Sequence, residues 1–205
     1  MDLNNMYFIG GSPCCGKSTI SEKLAEKYGF YYYKVDDYYE QHMKEGAKRG
    51  YSMMSKLSKL SWDDIFSRDI NTQVNEELLY YKEELNLIIE DLEKLDCEKP
   101  IIVEGAAILP EFIEKMNIKK NKSIFMVPTP SFQINHYRKR EWRHWILNQC
   151  KSPDKAFGNW MKRDIEFAKV IIKEARKNYR NFIIVDEDQS LETNFKKVEK
   201  FFNLG

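Results

Sequence analysis

An apolar run from Met6 to Gly10 leads without a break into Gly11-Ser12-Pro13-Cys14-Cys15-Gly16-Lys17-Ser18, and a helical segment begins at once after it. The octapeptide fits G-x-x-x-x-G-K-[ST], and between a strand and a helix that pattern reads as a phosphate-binding loop. It places the loop at the carboxyl end of a strand. There, successive backbone N–H groups form an anion nest and the helix N-terminus adds its partial positive charge. Gly11, Ser12, Pro13, Cys14, Cys15, Gly16, Lys17, Ser18 and Thr19 are therefore the candidate phosphate cradle, with Lys17 reaching the β- and γ-phosphates and Ser18 a Mg²⁺ ion. Cys14 and Cys15 read as loop fillers, at a place where a helix N-terminus lowers a thiol pKa and leaves it oxidisable.

Four further apolar runs, at 30–35, 101–104, 123–127 and 182–185, are rich in β-branched and aromatic residues and mostly unalternated, as strands buried on both faces are. Helical patterns at 18–28, 72–95, 131–149, 159–180 and 190–203 separate them. Strand and helix alternate, which predicts an α/β fold with a parallel sheet covered on both faces, and ligands beyond the carboxyl ends of the strands. The alternation lapses over 37–99, a mainly helical excursion, and over 138–165, a basic one, and both are candidates to face a substrate.

At 205 residues the chain fits one domain. A formal net charge of +1 lacks the field that marks nucleic-acid or anionic-membrane binders, so any anion must be held locally. No apolar run approaches membrane-spanning length, and the expected protein is soluble and cytoplasmic. Four cysteines without a C-x-x-C pair and three histidines argue against a disulfide framework or a zinc site.

The strand ends carry the remaining chemistry. The second run closes on Asp36-Asp37, and a carboxylate there suits a neutral hydroxyl acceptor, whose proton it takes during attack on a γ-phosphate. The alternative is a solvated Asx turn. Asp36 is the candidate base. The third run closes on Glu104-Gly105, a carboxylate placed to hold Mg²⁺ and a glycine expected to let the backbone pass close to the phosphates. Ser18, Asp37 and Glu104 form the candidate metal set. After the fourth run, a helix carrying Arg138, Arg140 and Arg143 would present Arg140 and Arg143 on one face, with Arg138 among Ile134, Tyr137, Trp142 and Trp145. Cations brought over a transferring phosphoryl group neutralise its charge, so these arginines and Arg163 are catalytic candidates. A solvated basic face, and an ion pair of Arg163 with Asp164, are the competing readings. Lys44, Lys48, Arg49, Lys56 and Lys59 outnumber Glu40 and Glu45 and could meet an anionic substrate. Trp62, Tyr80 and Tyr81 could line an acceptor pocket, but aromatics at helical spacing are usually core.

With these motifs the chain resembles the P-loop small-molecule kinases, the broad group of uridine kinase, nicotinamide riboside kinase, shikimate kinase, chloramphenicol phosphotransferase and adenylate kinase. The resemblance spans nearly the whole chain by element order and rests on 11–18, 36–37 and 104–105. Asp36-Asp37-Tyr38-Tyr39 is similar to the Asp-Asp-Phe-Tyr segment of nucleoside kinases, whose first Asp activates the hydroxyl, and Glu104-Gly105 to their third-strand Glu-Gly. The resemblance implies a P-loop nucleoside triphosphate hydrolase fold in a single domain over 1–205. It has a five-stranded sheet in order 2-3-1-4-5, an acceptor-binding excursion at 37–99 and a closing helical lid at 138–165. It also implies Arg138 stacking on adenine, with Arg140 and Arg143 flanking the position that reaches phosphates, and residues 186–189 near the base.

The implied activity is Mg-ATP-dependent transfer of the γ-phosphoryl group to a hydroxyl of a nucleoside, hydroxy acid, sugar or antibiotic, by a monomer or homodimer without nucleic-acid or membrane partners. A nucleoside monophosphate or sugar phosphate acceptor clamped by the 44–59 lysines, or a nucleotide-dependent regulatory ATPase, are the alternatives. Asn121-Lys122-Ser123-Ile124 ends in Ile where a GTPase base-reading motif has Asp.

Overall fold

The computed structural model describes residues 3–205. The chain runs β1 (Met6–Gly11), α1 (Lys17–Tyr28), β2 (Tyr31–Lys34), α2 (Tyr39–Lys48), α3 (Ser52–Leu57), α4 (Trp62–Ser67), α5 (Ile70–Lys94), β3 (Ile101–Glu104), α6 (Pro110–Lys115), β4 (Ser123–Pro128), α7 (Pro130–Arg138), α8 (Arg143–Leu147), α9 (Pro153–Lys177), β5 (Asn181–Val185) and α10 (Leu191–Phe201). All strand pairs are parallel and the order is β2-β3-β1-β4-β5, as the family resemblance implies. None of the described helices is long and apolar enough to cross a membrane.

Because successive side chains of a strand point to opposite faces, each central strand feeds two cores. Met6 and Phe8, Ile101 and Val103, and Phe125 and Val127 pack under Leu92 of α5, Phe112 of α6 and Phe167 and Ile171 of α9. Their alternates Tyr7, Ile9, Ile102, Ile124 and Met126 pack under Ile20 and Leu24 of α1 and Phe195 and Val198 of α10. Burial on both sides explains why these strands read as unbroken apolar runs. The register sets Ile9 and Lys34 level with Glu104, so β1, β2 and β3 end together at one edge.

The 37–99 excursion folds as four helices, two of them started by explicit caps. At α4 the Ser61 hydroxyl accepts from the Asp64 N–H while the Asp64 carboxylate accepts from the Ser61 N–H, a reciprocal capping box. At α5 the Asp69 carboxylate accepts from the Thr72 N–H. Buried side chains tie this excursion to the sheet. The Tyr80 hydroxyl donates to Glu84 (3.0 Å), His42 bridges Glu84 (3.2 Å) and Asp91 (2.9 Å), and the Tyr33 hydroxyl of β2 donates to the same Asp91 (3.0 Å).

Residues 131–149 do not form the single helix their periodicity predicts. α7 stops at Arg138, the chain turns through 139–142, and α8 restarts at Arg143. The turn folds Trp142 back over Trp160 (5.7 Å between rings) and buries Ile146, Leu147 and Cys150 in the same cluster. The carbonyl that the break exposes at Arg138 accepts from the Arg143 side chain at 3.1 Å. Packing outweighs helical periodicity here, and Arg140, in the turn, and Arg143, at the start of α8, do not share the face of one helix.

Two predictions follow from the fold. A Cβ at Gly105 would lie 2.6 Å from Val35 Cβ, so Gly105→Ala overpacks β2 against β3 and should cost about 1–3 kcal/mol in urea unfolding. An unchanged midpoint would refute that contact. Burial works against a charge on His42, but its hydrogen bonds to Glu84 and Asp91 outweigh it and raise its pKa above 6.5. The stabilisation is therefore complete below the unfolded value, about 6.5, and is lost as pH rises through the raised folded value. The stability gap between the native chain and His42→Gln should be widest at about pH 6 and narrow toward pH 9.

Candidate active site

The chain leaves β1 at Gly11 with φ +119°, where a Cβ would sit 2.0 Å from the Met126 carbonyl oxygen, and enters α1 through Gly16 at φ +81°. Only glycine fits the first position. Between them the Cys15 thiol donates to the Ser12 (3.0 Å) and Met126 (3.3 Å) carbonyls, and the Ser12 hydroxyl to the Asp164 carbonyl (3.4 Å), which pins the loop to β4 and α9. Lys17 is buried, its Nζ donating to the Ser12 carbonyl at 2.9 Å and standing 3.9 Å from Glu104 Oε1. Burial opposes its charge, but Cys15, Glu104 and Asp36 outweigh it and raise its pKa. Glu104 is held above the usual carboxylate range by burial and the charge of Asp36, against the pull of Lys17, the Tyr32 hydroxyl (2.8 Å) and Ser18. Ser18 and Glu104 are hard oxygen donors beside a positive-φ glycine loop, which fits Mg²⁺ carried with a triphosphate. Among the described residues no group of three or more His, Cys, Asp or Glu is placed to hold a metal by itself.

Past β2 the chain makes one 3₁₀ turn, Val35–Tyr38, which separates the two aspartates. Asp36 faces a cavity of about 260 Å³, whereas Asp37 has a 64% exposed side chain paired with Lys34 at 3.3 Å. Asp37 is therefore not gathered with Ser18 and Glu104. Gly105 makes room for Val35, not for a phosphate, and so fixes where Asp36 emerges.

The cavity lies between the helical excursion and the 138–165 segment. Trp62 and Phe66 of α4, Tyr80 and Tyr81 of α5, Trp142 and Trp160 line it, with Arg68, Gln73, Glu76, Glu77, Glu84 and Arg163. Trp62, Tyr80 and Tyr81, which the periodicity favours as core, stand in its wall. Gln73, Glu77 and Glu84 escape sequence reasoning, although the i,i+4 pairs Glu77–Tyr81 (3.1 Å) and Tyr80–Glu84 (3.0 Å) were there to be seen.

The arginines divide. Arg138 is exposed. Arg140 lies over the rings of Tyr137 (5.3 Å) and Trp142 (5.6 Å), and its charge pulls the Cys14 thiol down against burial. Arg143 lies over Phe157 at 5.9 Å. Arg163 is committed to carboxylates, 2.7 Å from Asp164 and 3.2 Å from Glu77. Of the basic run, Arg49 pairs with Glu45 and Glu90 and Lys56 with Glu76, while Lys44 and Lys48 line a separate cleft.

No family model matches the sequence, and no curated protein sequence aligns with it. Solved structures do superpose. A shikimate kinase from Bacteroides thetaiotaomicron aligns with a TM-score of 0.56 at 17% identity, covering 97% of this chain and 98% of that one. A deoxyadenosine kinase from M. mycoides aligns with a TM-score of 0.50 at 14% identity, covering 97% and 98%. With the sheet order and the loop, these show the P-loop nucleoside triphosphate hydrolase fold.

At the loop thiols, read as fillers, burial works against the pull of the helix N-terminus. Burial pushes Cys14 up to about 11, above the opposing pull of Arg140, and raises Cys15 as well. Desolvation of a thiolate outweighs the terminal dipole here. With an aromatic disulfide reagent near pH 8, one thiol should react fast, the half-buried Cys97, and Cys97→Ser should remove that phase. Fast labelling at Cys14 or Cys15 would contradict the burial account.

Proposed function

We propose that the protein is an Mg-ATP-dependent small-molecule kinase that moves a γ-phosphoryl group to a hydroxyl. What supports this most is the meeting, at one sheet edge, of a phosphate loop with a buried lysine, a buried Glu104 and an Asp36 that opens on a cavity. The loop amides and Lys17 hold the triphosphate, Ser18 and Glu104 hold Mg²⁺, and the 37–99 excursion receives the acceptor. Bound Mg²⁺ supplies charge neutralisation on the phosphate oxygens. The acceptor hydroxyl oxygen forms a bond to the γ-phosphorus, the bond to the β,γ-bridging oxygen breaks with its electron pair leaving on ADP, and the hydroxyl proton passes to Asp36. Arg140, whose charge acts on the loop thiol Cys14, is the lid arginine we assign to the transferring group. Arg138 and Arg143 serve the lid more loosely, and Arg163 orders the acceptor wall through its carboxylates.

An ADP-release assay against pooled nucleosides, sugars, hydroxy acids and amino alcohols tests this directly. One pool should raise the rate well above that with ATP alone, and Asp36→Asn should lower the stimulated rate by about 10²–10⁴-fold with Mg-ATP affinity kept. No stimulation by any pool, with ATP bound tightly, would turn the reading to a nucleotide-gated regulator.

A further inference from the structure

Glu104 ends β3 and is 2% exposed. A carboxylate that holds a metal ion is itself hydrogen-bonded, and the partner behind it fixes its orientation. Lys17 stands 3.9 Å from Oε1, too far for a hydrogen bond, so that contact balances charge without setting direction. The short contact comes from the neighbouring strand, where the Tyr32 hydroxyl donates to Oε2 at 2.8 Å. Register brings the two together. Lys34 is level with Glu104, and Tyr32, two residues earlier in β2, shares the Lys34 face. Tyr33 belongs to the opposite face, where its hydroxyl donates to Asp91 at 3.0 Å.

Packing does not call for this hydroxyl. The Tyr32 ring is half-buried against the cluster of Ile9, Ile20 and Ile102, a contact that a phenylalanine would make as well. What the oxygen adds lies at the site. Ser18, in the first turn of α1, acts through its hydroxyl on Tyr32 and on Glu104 alike. Tyr32 thus interacts with both oxygen donors assigned to Mg²⁺ without being one of them. Lys17 has a second call on its charge, since its Nζ now rests on the Ser12 carbonyl at 2.9 Å and an arriving phosphate competes for it. Once Lys17 turns to the phosphates, its pull on Glu104 is shared. Tyr32 then remains the group that holds the carboxylate.

We propose that Tyr32 is a positioning residue for Mg²⁺: its hydroxyl holds Glu104 in one orientation, so the affinity for the metal depends on it and the affinity for metal-free nucleotide does not. This rests on the assignment of Ser18 and Glu104 to the metal, but it is read from binding and needs neither an acceptor nor phosphoryl transfer. Without the Tyr32 hydroxyl, Glu104 has one oxygen buried and unsatisfied, or turns toward Lys17, and either way it is a poorer donor to a hard cation. Removing the partner behind a metal ligand typically costs about 10–100-fold in metal affinity. A role in packing alone would weaken nucleotide binding with and without metal by the same factor.

Calorimetric titration of ADP into the whole chain, once in excess Mg²⁺ and once in EDTA, gives the factor by which the metal tightens nucleotide binding. Tyr32→Phe should cut that factor by about ten-fold and leave the affinity in EDTA unchanged. In Glu104→Gln the factor should already be low, and adding Tyr32→Phe should lower it no further, the non-additivity of two residues that act through one contact. Tyr32→Leu removes the hydroxyl with a different side chain and should show the same loss, so the ratio stays readable if Tyr32→Phe fails to fold. A full metal factor in Tyr32→Phe, an equal loss with and without Mg²⁺, or the same loss on the Glu104→Gln background overturns the role of Tyr32 and leaves the kinase reading standing. No binding of ADP by the native chain sinks the kinase reading itself. ADP bound but not tightened by Mg²⁺ overturns the metal assignment of Ser18 and Glu104, and the role of Tyr32 with it.

Discussion

At Gly11 the backbone of β1 passes so close to β4 that a Cβ would lie 2.0 Å from the Met126 carbonyl oxygen. That approach starts the turn, and the rest of the edge follows from it. The next N–H, of Ser12, donates to the same Met126 carbonyl at 3.1 Å, the Cys15 thiol donates there too, and α1 is launched with its N-terminus facing back over the strand ends. A parallel sheet brings all its carboxyl ends to one side. It is the tight exit of β1 that converts that side from a row of strand ends into a concave cradle.

Within that cradle charge is expensive, and the structure handles it by unequal sharing. Lys17 has its own loop carbonyl at 2.9 Å and Glu104 at 3.9 Å. Glu104 in turn depends on a tyrosine hydroxyl as well as on the lysine, and still sits above its ordinary range because burial costs it more than these partners return. A buried lysine turned onto a backbone carbonyl is a cation with capacity to spare. An arriving anion would take Lys17 from Ser12 and relieve a desolvated charge, which is how a site built of marginal pairs binds a strongly charged ligand without first breaking a strong one.

The sheet and the three strand-end residues were legible in the sequence because each depends on local information. Apolar runs such as Ile101 to Val103 declare strands buried on both faces, and the residue that ends such a run, Asp36 or Glu104, has nowhere to go but the carboxyl edge. The strand order came from the resemblance of those motifs to a known fold, not from periodicity. The cavity wall was not legible. Gln73 and Glu77 come from α5, Phe66 from α4 and Trp160 and Arg163 from α9, and their meeting depends on how three helices cross. The break after Arg138 was hidden for the same reason. Nothing between Lys139 and Trp142 is a helix breaker, and the turn exists because Trp142, Ile146 and Leu147 gain a buried place against α9.

Cys14 joins these two halves. It is a non-glycine residue at φ +66°, a conformation that persists only when its surroundings determine it. Those surroundings include the cluster of Phe66, Tyr137 and Trp160, and two of these three also line the cavity below Asp36. The middle of the phosphate loop thus belongs to the same apolar cluster as part of the cavity wall. A close-packed interior transmits displacement, so a loop that shifts to admit phosphate presses on Phe66 and Trp160. A ligand that fills the cavity would fix the cluster that holds Cys14 in place. If both ligands favour one arrangement of this cluster, each raises the affinity of the other by the same factor, since linkage is reciprocal. A buried thiol of modest size suits that contact better than the glycine that loop geometry alone would favour, because glycine would release the strain and with it the connection.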